Sequence, residues 1–176
     1  MQRVSIIIPN YNGAALFEQC LRSIEQNVRV PYEIIVVDNG STDASLAVCL
    51  RSRVKLISLA HNRGFPAACN VGLRCAVGDA LLLLNNDTQL VPGTLEHMMR
   101  CLYSSADIGI VGPMSNYASG KQQIEEPFTS IREMAERYAA PDSSRWLQTE
   151  RVVGLCFLIR RELMEGIGLL DERFSP

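Results

Sequence analysis

The sequence predicts an α/β fold in which a mixed, mainly parallel sheet is flanked by helices. Short β-rich apolar runs recur at residues 4–8, 33–37, 54–58, 80–84, 108–111 and 152–159. Most are separated by stretches of helical periodicity, the alternation that produces parallel sheets covered by helices. With 176 residues, 47% of them apolar, the chain has enough material for the core of one domain.

Taken in order, the first run, VSIII, is stopped by Pro9 and Asn10. It is too short for a secretory h-region or a membrane span, and no later run reaches spanning length. A cytoplasmic protein is the expectation, and peripheral attachment to the inner face of a membrane, through further segments or a partner, is compatible with it. The next runs, EIIVV and ALLLL, end at Asp38 and at Asn85, Asn86 and Asp87.

Between them, Pro66 follows Gly64 and Phe65 and suits the first turn of a helix running through Cys75. The small residues Ala67, Ala68 and Gly72 would let that helix pack closely, with Asn70 near its start. Leu95, Met98, Met99 and Leu102 share one face of another helix and should belong to the core. Ser130 and Glu133 have capping-box spacing at the start of a third helix, whose stripe of Ile131, Met134, Ala135 and Tyr138 predicts ordinary packing. Residues 118–149 turn polar and irregular, as in an excursion between two strands that could cover a site.

The 17 basic and 19 acidic residues nearly cancel and form no long block, which argues against a nucleic-acid-binding face. A small-molecule partner fits better. The six cysteines, Cys20, Cys49, Cys69, Cys75, Cys101 and Cys156, make no Cys-x-x-Cys pair. They read as buried, reduced thiols of a reducing compartment.

Ligands of parallel α/β sheets bind at the carboxyl ends of strands. Four such ends are polar here: Pro9 to Asn12; Asp38, Asn39, Gly40, Ser41 and Asp43; His61, Asn62 and Arg63; and Asn85, Asn86 and Asp87. Each alone could be turn chemistry, but four at one edge favour a site. Asp38 could accept hydrogen bonds from a base imide or a ribose, and Ser41 is placed to cap the following helix. Asp87, at the mouth of a buried strand, could ligate a divalent cation that also touches a diphosphate.

These clusters, read in order as VSIIIPNYNG, EIIVVDNGSTD, NRGFPAACNVG, LLLLNNDT and RVVGLCFLIRRELMEGIGLLDERF, resemble the family 2 glycosyltransferases, inverting enzymes of the Rossmann-like GT-A fold. The resemblance spans essentially residues 4–174. It implies transfer of a sugar from a nucleoside diphosphate donor, a UDP- or dTDP-sugar, to a saccharide, lipid or protein acceptor, with Mn2+ or Mg2+ on the diphosphate. On that reading Pro9, Tyr11 and Asn12 line the nucleotide pocket and Asp38 contacts the base. Asn62, Arg63, Gly64 and Asn70 match the stretch beside the donor. The family's metal-binding Asp-x-Asp falls on Asn85, Asn86 and Asp87. The departure at Asn85 leaves Asp87 the only carboxylate, which should weaken metal binding unless the bound diphosphate completes the site.

Inverting transfer needs a general base for the acceptor hydroxyl. In the family that base lies a little downstream of the GLLDERF-like segment, so it is expected beyond Pro176, with Asp171 and Glu172 as the remaining candidates. A second reading is a module that binds nucleotide sugar without turning it over. A pyrophosphorylase or a dinucleotide-dependent oxidoreductase would need a glycine-rich loop after the first strand, where this sequence reads PNYNGAA; the pair Gly166 and Gly168 fails in spacing and context.

Overall fold

The structure is a computed structural model that describes residues 2–138, 140 and 142–174. Residues 139 and 141 of the polar excursion, and Pro176, past which the base is expected, lie outside the described residues. In chain order the regular elements are β1 (Val4–Asn10), α1 (Ala14–Asn27), β2 (Tyr32–Asp38), α2 (Ser45–Leu50), β3 (Lys55–Ser58), α3 (Phe65–Cys75), β4 (Ala80–Leu84), α4 (Thr94–Leu102), β5 (Ile110–Val111), α5 (Ile131–Tyr138), β6 (Cys156–Arg160) and α6 (Arg161–Ile167).

The strands form one sheet in the order β3-β2-β1-β4-β6-β5. β1 pairs in parallel with β2 and β4, and β2 with β3, whereas β6 runs antiparallel to both β4 and β5. The sheet is therefore mixed and mainly parallel, as the alternating pattern predicts. The chain winds from β1 out to β3 and then crosses back to place β4 on the other side of β1. That reversal opens a crevice at the carboxyl ends of β1 and β4, where α/β sheets hold ligands.

All seven residues of β1 are buried, because helices cover both faces of the sheet. Ile6 and Ile8 pack with Phe17, Leu21 and Ile24 of α1 and with Leu95, Met98 and Leu102 of α4. Ile7 points the other way, onto Ala68, Cys69 and Leu73 of α3. Full burial of such a side chain contributes about 1.5–3 kcal/mol, so this alternation commits the central strand to two cores at once. The face of α4 carrying Leu95, Met98, Met99 and Leu102 is buried as its spacing predicts. α3 lies so close to the sheet that a Cβ on Gly72 would stand 2.4 Å from Cγ2 of Ile7.

Three expectations are corrected. α5 has no buried residue and Ile131 is exposed, so its apolar stripe is not packed into a core. Its cap is also shared differently: Ser130 Oγ accepts from Glu133 N, but the Glu133 carboxylate accepts from Thr129 N and Oγ1. Of the six cysteines only Cys20, Cys49, Cys69 and Cys156 are buried, while Cys75 is exposed and Cys101 half-buried. Burial pushes the thiols of Cys20, Cys69 and Cys156 up to about 12 and that of Cys49 to about 11, so all four are held as neutral SH groups. Among the described residues, no helix is long and apolar enough to cross a membrane.

At the amino-terminal end of the sheet, Glu33 is buried against Ser5, whose hydroxyl donates to Oε1, while Val77 N donates to the same oxygen. Lys55 Nζ stands 2.6 Å from Oε2. Burial pushes this carboxyl up, but Lys55, Ser5 and Val77 outweigh it and hold it at about 2.

Candidate functional site

The turn that leaves β1 carries Tyr11, half exposed, and Asn12, which has a left-handed φ of 57°. Asparagine tolerates that conformation better than most residues. It is held from two directions here: Asn12 N donates to Ser41 Oγ at 2.9 Å, and its Oδ1 accepts from Thr42 N at 2.9 Å. Pro9 is buried in β1 opposite Val37, so it shapes the strand end from within.

Asp38, one residue further along β2, is only 1% exposed. Its Oδ1 accepts from Asn10 Nδ2 at 3.2 Å and its Oδ2 from Ser41 N at 3.1 Å. Each oxygen keeps a further lone pair for a ligand. Ser41 does not cap α2, contrary to the local reading: its hydroxyl accepts from Asn10 and Asn12 across the strand end. Ala44 is the N-cap of α2 and carries no side-chain cap, while the preceding Asp43 accepts from Ser45 N at the start of α2 and from Ala14 N at the start of α1. Hydrogen bonds from Ser45 and Ala14 hold the Asp43 carboxyl below its usual range.

Asn39 organises the third polar cluster. Its Nδ2 donates to Asn62 Oδ1 and to Gly64 O, and its Oδ1 accepts from Arg63 N. Gly40, at φ 81°, lets the β2 end approach this loop, because a Cβ there would lie 2.7 Å from His61 Cα. Arg63 is exposed beside the strand ends. Asn70, grouped with the donor side by its place in the motif, turns elsewhere. It is 2% exposed, and its amide binds the backbone of Leu170 and the carboxylate of Glu172.

Beyond β4, Asn86 Nδ2 donates to Asn10 Oδ1 at 2.8 Å and to Asn12 O at 3.3 Å. The ends of β1, β2 and β4 are thus joined by one run of hydrogen bonds: Asn86 to Asn10, Asn10 to Asp38 and Ser41, and Ser41 to Asn12. The sequence places Asn10 in the polar cluster that ends β1 but gives it no role of its own. Asparagine in such a turn is unremarkable by itself, and the one available signal was its position at a strand end beside Asp38.

Asp87 is exposed, whereas Asn85 is half-buried with its Oδ1 enclosed and without a hydrogen-bond partner. Among the described residues no three His, Cys, Asp or Glu side chains stand together as a cation site. A cation at Asp87 would therefore take most of its ligands from elsewhere, and phosphate oxygens fit that need. The orphaned amide oxygen of Asn85 is itself a suitable ligand type for a hard cation. The donor set fits Mg2+ or Mn2+ shared with a diphosphate, and does not fit a cage built from protein alone.

Asp171 pairs with Arg173 at 2.6 Å, and that guanidinium holds its carboxyl below the usual range. A cleft of about 620 Å3 lies between α1, residues 89–92 and α5, and contains none of the candidate residues.

The family model described as glycosyl transferase family 2 matches residues 5–168. The chain belongs to that family. Among its relatives, the O-antigen biosynthesis protein RfbC of Myxococcus xanthus is 29% identical over 98% of this chain and 15% of its own length. A dolichol-phosphate mannosyltransferase of Pyrococcus furiosus is 29% identical over 95% of this chain and 49% of its own. A solved structure of the mannosyltransferase PcManGT from Pyrobaculum calidifontis, in complex with GDP-Man and Mn2+, superposes with a TM-score of 0.73. It is 25% identical and covers 97% of this chain and 48% of that one. The fold of this family 2 chain is that of the GT-A glycosyltransferases. The chain spans between 15% and 56% of the length of such curated relatives.

Proposed function

We propose that this glycosyltransferase chain forms the donor side of an inverting enzyme that moves a sugar from a nucleoside diphosphate sugar, a UDP- or dTDP-sugar, to a saccharide, lipid or protein acceptor. One observation carries the reading. Asp38 ends and Asp87 follows the two strands that flank β1, and the PNYN segment lies between them at the point where strand order reverses.

Each residue then has a task the geometry suits. Asp38 accepts a hydrogen bond from the base or ribose through its remaining lone pairs. Tyr11, half exposed, offers a flat surface to the nucleoside, and Pro9 and Asn12 shape the pocket around it. Arg63, with Asn62 and Gly64, places a cation and backbone groups near the donor. Asp87 would hold a divalent cation together with the diphosphate, with the Asn85 amide oxygen and Asn86 beside it. When bound, the metal neutralises charge that gathers on the leaving diphosphate. The Mn2+ and GDP-Man of the Pyrobaculum calidifontis enzyme support this assignment by likeness.

A second reading, binding without turnover by residues 1–176 alone, rests on the two acidic candidates. Asp171 pairs with Arg173 at 2.6 Å, and Glu172 Oε1 accepts from Asn70 at 2.9 Å, so both carboxylates are engaged in local contacts of their own segment.

The test is a donor screen on the full natural protein with UDP-, dTDP- and GDP-sugars, scored by release of nucleoside diphosphate with and without Mn2+. Release from one donor, lost in Asp87→Ala, is expected. Failure of every donor, together with no thermal shift by any nucleoside diphosphate and Mn2+, would reject the reading.

A further inference from the structure

We propose that Asn10 is a positioning residue that sets the separation between the nucleoside end of the donor site at Asp38 and the cation end at Asn86 and Asp87. The proposal rests on the donor-binding reading above. It goes beyond it by giving a task to a buried side chain whose hydrogen bonds run to Asp38, Ser41 and Asn86.

Asn10 closes β1 in register with Asp38 and is 1% exposed. Its amide nitrogen donates to Asp38 Oδ1 and to Ser41 Oγ, both at 3.2 Å, and its amide oxygen accepts from Asn86 Nδ2 at 2.8 Å. Its backbone carbonyl accepts from Asn39 N at 2.7 Å, which ties the turn after Asp38 to the same residue. The two sides ask for opposite chemistry. The carboxylate of Asp38 needs a donor, whereas the amide nitrogen of Asn86 needs an acceptor, and one buried amide supplies both. A carboxylate at this position would face Asp38 with like charge, and a serine hydroxyl is too short to span the gap.

Because β1 is the strand between β2 and β4, a shift of either neighbour is felt at Asn10. A nucleoside diphosphate has a fixed length between base and diphosphate, so its ends engage together only if Asp38 and Asp87 keep the right spacing. Loss of Asn10 should therefore weaken the cooperation between nucleotide and cation more than it weakens binding of the nucleoside alone.

The experiment is calorimetric titration of the full natural protein with UDP, dTDP and GDP, each with and without Mn2+, and with the matching nucleosides. For the nucleotide that binds, the native protein should be tighter with Mn2+. In Asn10→Ala that Mn2+ enhancement should fall at least about fivefold, while nucleoside affinity changes less than about threefold. If nucleotide and nucleoside weaken in parallel with the enhancement intact, Asn10 is a structural residue and the proposal is overturned. A native protein that binds nucleotide with no Mn2+ enhancement also overturns it but leaves the donor site standing. A native protein that binds none of the three nucleotides overturns the donor-site reading as well. Should Asn10→Ala not fold, Asn10→Ser decides, since it keeps a polar group at the end of β1 but its hydroxyl is too short to reach both Asp38 and Asn86. Loss of the enhancement supports the proposal there, and retention overturns it.

Discussion

Asn70 on α3 brackets Leu170 from a hundred residues away, donating to its carbonyl at 2.8 Å and accepting from its N–H at 2.9 Å. The same amide nitrogen reaches Glu172 Oε1 at 2.9 Å. An amide paired with both backbone groups of one residue acts as a short piece of β-ladder, which fixes the segment after α6 against α3.

Replacing it with alanine would leave the Leu170 groups and a half-covered backbone unpaired, at a cost of about 1–3 kcal/mol. In Asn70→Ala, hydrogen exchange at residues 168–173 should accelerate while the amides of β1 stay protected. Unchanged protection at Leu170 would show that α6 alone holds the segment.

Stability should fall in acid because of Glu33. Its folded carboxyl is depressed from the ordinary 4.5 to about 2, so the stabilisation is complete above about pH 4.5 and is lost as pH falls through that window. The depression corresponds to about 3 kcal/mol. Urea midpoints measured between pH 6 and pH 2.5 should drop steadily in the native chain and more shallowly in Glu33→Gln. Parallel slopes would assign the acid sensitivity to other carboxylates.

Gly72 faces Ile7 and Val37, with Ile7 Cγ2 only 2.4 Å from where a Cβ would stand. Alanine favours the helix by up to about 1 kcal/mol over glycine, whereas overpacking costs about 1–3 kcal/mol. The sheet side chains are fully buried and have little room to give, so overpacking should win and Gly72→Ala should lower the denaturation midpoint. A raised midpoint would mean that α3 moves outward freely.

Asp38 has both a binding and a structural part. Removing its carboxylate leaves Ser41 N without its acceptor and takes one partner from Asn10. Asp38→Ala should cost about 1–3 kcal/mol and weaken nucleotide binding, yet keep its far-UV circular dichroism. Asp38→Asn should recover much of the thermal stability but little of the binding. Equal recovery of both would make Asp38 a structural residue only.

Much of this was legible in sequence because the information is local. VSIII, EIIVV and ALLLL read as buried strands, and a run of apolar residues between turn formers has few other ways to hide from water. The clusters at Asp38 and Asp87 were found for the same reason, since they follow those runs directly. Ser41 was misjudged on equally local grounds. Its position suits a helix cap, but Asn10 and Asn12, at the end of β1 and just past it, take its hydroxyl, while Asp43 accepts from Ser45 N.

The sequence by itself determined the central strands β1, β2 and β4, the helix faces of α3 and α4, and the family to which the chain belongs, while it overextended β5 and β6, which span Ile110–Val111 and Cys156–Arg160. Only tertiary structure decided that β6 runs against β4, that α5 stays on the surface, and that Asn70 turns to Leu170. It also decided that Asn10 bridges the two halves of the candidate site. The physical reason is common to all four. Which strand lies beside which is set by the packing of whole faces, and a hydrogen bond between residues 76 positions apart, such as that from Asn86 to Asn10, exists only once that order is in place.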